Sequence, residues 1–267
     1  MSKKLIFYTA ATGFYHNFIA PYALFASHFN RGVTLEFIVW NVRKIMEIHG
    51  RAIKAIEKEN DCKIVLRKKP EKLPPLLHDN SLRFLVTPKT PVGEYEFIYI
   101  GDIDIFITQS VCKVHEGFVN SDLPYSNVLR PGCNKLSGLH FARTKYLYPL
   151  PKKIKQYSEL VDEEILYKIY ELNGYLYKTL PPEIEKIGRP ACGIHLSVNR
   201  LPFSDGGRPG WSLGKQLEVA NQFLRKDSTL DIINLMSKGS RRILLNVLVL
   251  AEGVKHLERP LFDKFYQ

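Results

Sequence analysis

The stretch that most limits how this chain can fold is Glu96 to Gln109, EFIYIGDIDIFITQ. Phe97 to Ile100 is a short apolar run rich in β-branched and aromatic residues, the composition of a strand covered on both faces. Asp102 and Asp104 follow, and Ile105 to Ile107 resume the apolar character. Alternate residues of a strand point to one side, so the two carboxylates could face one solute together. Carboxylates placed that way repel unless a cation sits between them. A hard divalent ion that itself holds phosphate oxygens fits such a site. An Asp-x-Asp triplet also arises by chance, and most aspartates are solvated surface groups. Its place at the end of the most apolar segment in the N-terminal half argues for a site, because ligands collect at the carboxyl ends of strands in open α/β sheets.

The segments before it read as alternating strands and helices. Lys4 to Ala11 is a first strand, followed by a turn of small residues, Thr9 to Gly13, that would let a flat ligand approach the backbone. Tyr15 to Phe29 reads as a helix that must tolerate Pro21. Val33 to Trp40 is a second strand. Asn41 can cap a helix from Val42 to about Glu59, with Val42, Ile45, Met46, Ile53 and Ile56 on one stripe. Cys62 to Leu66 is a third strand. This alternation predicts an α/β fold with a mostly parallel, Rossmann-like central sheet flanked by helices.

Arg67 to Pro75 is a basic, proline-broken connection, either a solvated loop or an arm towards phosphates. Val111 to Pro131 is poorly patterned and reads as irregular structure beside a cleft. Lys135 to Thr144, KLSGLHFART, reads as a strand containing Gly138 and His140. Ser158 can cap a helix to about Asn173, whose early acids include Asp162 and Glu163. Arg189 to Val198 reads as a late short strand carrying His195. Ser204 to Gly210, SDGGRPG, reads as a lid or linker, and Trp211 to Arg225 and Ser240 to Leu257 as helices. The second is a core helix or, with its basic residues, a membrane-surface helix. The expected division is 1–203 as the catalytic unit and 204–267 as a loop and helical extension packed on it.

The chain has 267 residues and a net charge of +11, which points to an anionic partner. Lysine and arginine are scattered rather than clustered on one element, which argues against nucleic acid. The first apolar segment is too short for a signal peptide, and no apolar run reaches the roughly 20 residues of a membrane-spanning helix. The four cysteines show no zinc spacing and read as thiols in a reducing compartment, so a cytoplasmic location is expected.

In order and spacing these pieces resemble a glycosyltransferase of the GT-A fold over roughly residues 4–200. KKLIFYTAATGFYHNFIAPYALFASHF is similar to that family's first strand, turn and helix, and IYIGDIDIFI to its Asp-x-Asp strand. KLSGLHFART resembles the strand lining the sugar-donor pocket, DEEILYKI the acidic helix start that faces the acceptor, and GIHLS the strand whose histidine closes the metal site. The Lys-Pro-Trp tail that follows that histidine in one subgroup is absent.

The resemblance implies a nucleoside-diphosphate sugar as donor and a saccharide or glycolipid as acceptor, with surface polysaccharide or glycolipid synthesis as the setting. Peripheral membrane association stays open, and the oligomeric state is not indicated. Asp102, Asp104 and His195 would hold Mn²⁺ or Mg²⁺, with Asp102 also placed for the ribose. Thr9, Ala10, Thr12 and Tyr15 would surround the base and ribose. Gly138 and His140 would line the donor pocket. Arg83 would meet the phosphates, although a lone arginine is otherwise an ordinary surface charge. Asp162 or Glu163 would be the general base in an inverting reaction. A sugar-phosphate nucleotidyltransferase fits less well, because the turn AATGFYH has one glycine and no lysine or arginine. A non-catalytic binding protein of the same fold is the remaining alternative.

Overall fold

The computed structural model describes residues 5–71, 79–130, 133–177, 181–182, 192–196 and 213–253. The loop 204–210, the residues after 253 (Lys255 and His256 among them), 72–75 of the basic connection, and 189–191 and 197–198 of the late strand therefore lie outside the described residues.

A six-stranded sheet carries the fold, in the order β3-β2-β1-β4-β7-β6. Its parallel half is β3 (Lys63–Lys68), β2 (Thr34–Val39), β1 (Leu5–Ala10) and β4 (Phe97–Ile100). β7 (His140–Arg143) pairs antiparallel with β4, and the two-residue β6 (Tyr125–Ser126) with β7. The protein is thus α/β with a mostly parallel central sheet. β1 and β4 are largely apolar on both faces because both are covered, whereas β2 carries Thr34 and the buried Glu36 on one of its faces. Phe7, Phe37, Phe97 and Tyr99 point into one core, and Ile6, Tyr8, Ile98 and Ile100 into the other.

The first core lies under helices α1 (Ile19–Phe29) and α2 (Val42–Asn60). A 3-10 segment, Gly13–Phe18, precedes α1, and this early start answers the proline problem. Pro21 falls in the first turn of α1, where its missing N–H would have no helical partner. α2 begins as expected, with the Asn41 side chain accepting from the Lys44 N–H at 3.0 Å, a cap worth about 1 kcal/mol. Ile45, Ile53 and Ile56 of its stripe are buried, while Met46 is exposed.

The second core holds the short helices α3 (Leu82–Leu85) and α6 (Thr144–Leu147) and the longer α7 (Asp162–Asn173). Between them in the chain, α4 (Val111–Val114) and α5 (Glu116–Val119) are the irregular region expected from 111–131. α7 starts later than a Ser158 cap would have it. Ser158 ends a preceding 3-10 segment in helical conformation, and Glu164 instead accepts from the Val161 N–H at 3.2 Å. The strand expected over 135–144 is shorter too, so Gly138 precedes β7 rather than lying inside it.

Three C-terminal helices, α8 (Leu213–Leu224), α9 (Asp227–Asn234) and α10 (Lys238–Gly253), add to the first core. The sequence reading missed α9. Phe223 meets the Phe25 ring edge-on at 5.1 Å, and Phe25 stacks on Phe106 at 4.9 Å. Ile243, Leu244 and Val247 are buried, so α10 packs on the core, as one of the two readings had it. No described helix is long and apolar enough to cross a membrane, and no disulfide joins the four cysteines.

Candidate functional site

The two carboxylates converge through a turn, not through strand alternation. β4 stops at Ile100. Asp102 to Ile105 then forms a turn closed by the Ile105 N–H on the Asp102 carbonyl at 3.2 Å, and the chain leaves as β5 (Ile105–Ile107) in a second, two-stranded sheet. That sheet pairs β5 antiparallel with β8 (Gly193–His195), setting Ile105 opposite His195. The Leu196 N–H donates to the Asp104 carbonyl at 2.8 Å and continues the pairing. Gly193 makes the approach possible: a Cβ there would sit 1.8 Å from the Phe106 carbonyl oxygen.

The result is a group of three possible ligands. One atom each from Asp102, Asp104 and His195 lies within 4.8 Å of the others. His195 Nε2 is 3.4 Å from Asp104 Oδ1. The two carboxylate oxygens suit a hard divalent ion such as Mn²⁺ or Mg²⁺, while the imidazole favours a transition metal over Mg²⁺. Ligands of an octahedral ion at about 2.1 Å stand about 3 Å apart when adjacent and about 4.2 Å apart when opposite. The three atoms therefore fit such an ion with a small inward movement.

Two adjoining clefts meet at this group. The first, about 290 Å³, is walled by Ala10, Thr12 and Tyr15 from the β1 turn, by Asp79 and Asn80, and by Arg83 and the Asp102–Asp104 turn with His195. Tyr15 is half-exposed on the 3-10 segment. Its burial and the nearby Asp104 and Asp102 carboxylates push its phenol pKa up, so it remains a hydrogen-bond donor. The second cleft, about 300 Å³, shares Asn80, Arg83, Asp102 and His195, and adds Arg130, Ser137, Gly138, Asp162 and Glu163.

Arg83 is not a surface charge. It is 4% exposed, with Nη1 donating to Asp102 at 2.5 Å and Nη2 to Asp162 at 2.8 Å. Burial alone would lower its pKa, but the Asp102 and Asp162 carboxylates outweigh that and keep the guanidinium charged. It therefore forms the partition between the clefts. On the far side, Glu163 pairs with Arg130 and accepts from the Gly138 N–H at 3.3 Å.

Ten of the twelve residues singled out from the sequence line these clefts; Thr9 and His140 do not. Thr9 is buried, and its hydroxyl donates to the Gly101 carbonyl at 2.7 Å, tying β1 to the start of the turn. His140 is fully buried between Asn127 (2.9 Å) and the Tyr170 hydroxyl (2.7 Å). Burial pushes its pKa down to about 3, so it is a neutral core residue and not part of the donor pocket. Asp79, Asn80, Arg130 and Ser137 were missed. The polar triplet Asp79–Ser81 just before an apolar run is a helix-start signal that could have drawn attention to the first two. Compared with known proteins, the chain matches no family model and no curated protein.

Proposed function

We propose that the protein is a metal-dependent glycosyltransferase of the GT-A type. It would move a sugar from a nucleoside-diphosphate sugar to a hydroxyl of a saccharide or glycolipid acceptor. The observation that carries this reading is the meeting of Asp102, Asp104 and His195, brought from two distant strands to the carboxyl end of β4. A mostly parallel sheet with a cleft at its carboxyl edge is where an open α/β fold binds nucleotides. The net charge of +11 suits an anionic donor.

In this reaction negative charge gathers on the departing diphosphate while the sugar carbon becomes cationic. Asp102, Asp104 and His195 would hold a divalent ion, and when bound it would supply positive charge to the leaving phosphates. Thr12 and Tyr15 form the wall for the nucleoside, with the Tyr15 phenol as a donor. Arg83 holds Asp102 in place and adds a buried positive charge beside the diphosphate. The second cleft receives the sugar and the acceptor. Asp162 and Glu163 face it, and either can take the acceptor proton in an inverting reaction. Both already accept from arginine, but a carboxylate has about four lone-pair sites and keeps capacity for a hydroxyl.

Calorimetry with UDP and with GDP, in the presence and absence of Mn²⁺, tests the reading. Binding of one of them that weakens by about tenfold or more without the metal is expected. Failure of both to bind with Mn²⁺ present would overturn it.

A further inference from the structure

The wall of the first cleft is held from outside the nucleotide-binding half of the chain. Tyr15 sits on the 3-10 segment Gly13–Phe18, which has only short-range bonds of its own, such as the Tyr15 N–H to the Thr12 carbonyl at 3.1 Å. On one side His16 Nδ1 meets His49 Nε2 of α2 at 3.1 Å. On the other side stands the start of α10, more than 220 residues further on: the Ser240 hydroxyl donates to the Asn17 carbonyl at 2.8 Å across a separation of 223 positions. Ser240 is fully buried and also receives support from Ser237, whose Oγ lies 3.0 Å from its own.

Gly239 makes this contact tight. A Cβ there would lie 2.3 Å from Asn17 Oδ1 and 2.8 Å from Asn17 Cγ. Such an overlap cannot stand, and because the atoms met end a side chain, the Asn17 carboxamide would have to swing away or α10 shift. In place, the Asn17 Nδ2 donates to the Phe14 carbonyl at 3.1 Å within the same segment. Swinging the carboxamide away breaks that bond, one of the few that shape the turn presenting Tyr15, two residues away.

We infer that Gly239 and Ser240 are positioning residues for the cleft, and that α10 sets where Tyr15 stands. The role in ligand binding rests on the reading of the first cleft as a nucleotide site. The inference makes the C-terminal helices part of the binding machinery, although none of their described residues lines either cleft.

The sign of the effect separates this role from a structural one. In an unconstrained helix Gly→Ala is stabilising. Here Gly239→Ala is expected to do the opposite locally. Hydrogen exchange of residues 13–18 should accelerate by about tenfold or more in the ligand-free variant, with β1 and β2 unchanged. Its affinity for UDP with Mn²⁺ (or GDP, whichever the wild type binds) should fall by about tenfold. Asn17→Ala removes the atoms the new Cβ meets, so the pair Asn17→Ala with Gly239→Ala should recover both slow exchange and affinity. Unchanged exchange over 13–18 in Gly239→Ala overturns the contact's role, whatever the nucleotide does. Faster exchange that is rescued, with affinity untouched throughout, overturns its role in ligand binding. A wild-type chain that binds neither nucleotide overturns that binding role together with the assignment of the cleft, even where exchange and rescue are seen.

Discussion

The two clefts are lined by the same kinds of side chain and differ in how their charges are balanced. In the second, Asp162 rests on Arg83 and Glu163 on Arg130. In the first, Arg83 also serves Asp102, but Asp104, 7% exposed, has among the described ion pairs only His195. A buried carboxylate beside an imidazole leaves room for a further positive charge. Carboxylates that each have a guanidinium do not need one. Under the proposed function, the contrast assigns the cation and the anionic ligand to the first cleft and a neutral, hydroxyl-bearing ligand to the second.

The sharpest way to break the comparison is Asp104→Asn. If the first cleft needs a metal, turnover should fall by about 10³-fold, roughly 4 kcal/mol, while thermal unfolding stays near that of the wild type. Full activity in a steady-state assay would remove Asp104 from the chemistry. Next comes Arg83→Leu. It strips both clefts of their shared charge and leaves two partly buried carboxylates facing each other, so a loss of about 3 kcal/mol in denaturant unfolding is expected. A loss below about 1 kcal/mol would mean that solvent, not Arg83, balances these acids. The smallest effect is predicted for Arg130→Ala. Arg130 is 37% exposed, so its bond to Glu163 should contribute less than about 1 kcal/mol to stability, and the change should appear as a raised KM for the acceptor with kcat little altered. An unchanged KM would place the acceptor elsewhere.

The frame of the fold could be read from the chain because its signals are local. β4 is an unbroken apolar run, β1 and β2 are mostly apolar, and α2 has both its stripe and its cap in the sequence. The errors fall where a local signal competed with a distant contact. Ser158 is a good capping residue, yet the helix begins four residues later, where Arg83 and Arg130 hold Asp162 and Glu163. His140 was placed at the donor pocket by the resemblance of KLSGLHFART to the family's pocket strand, but β7 turns it towards Tyr170 of the second core. Asp102, Asp104 and His195 were visible as residue types, whereas the turn and the Gly193 contact that join them were not. Arg83 was the least legible, since its partners lie 19 and 79 positions away and a lone arginine carries no pattern.

One guanidinium, then, serves as a hinge-pin between two chambers. Whatever draws Asp102 away from Arg83 leaves the guanidinium to Asp162, so a change in one cleft is felt in the other through charge, before any segment of the backbone has shifted.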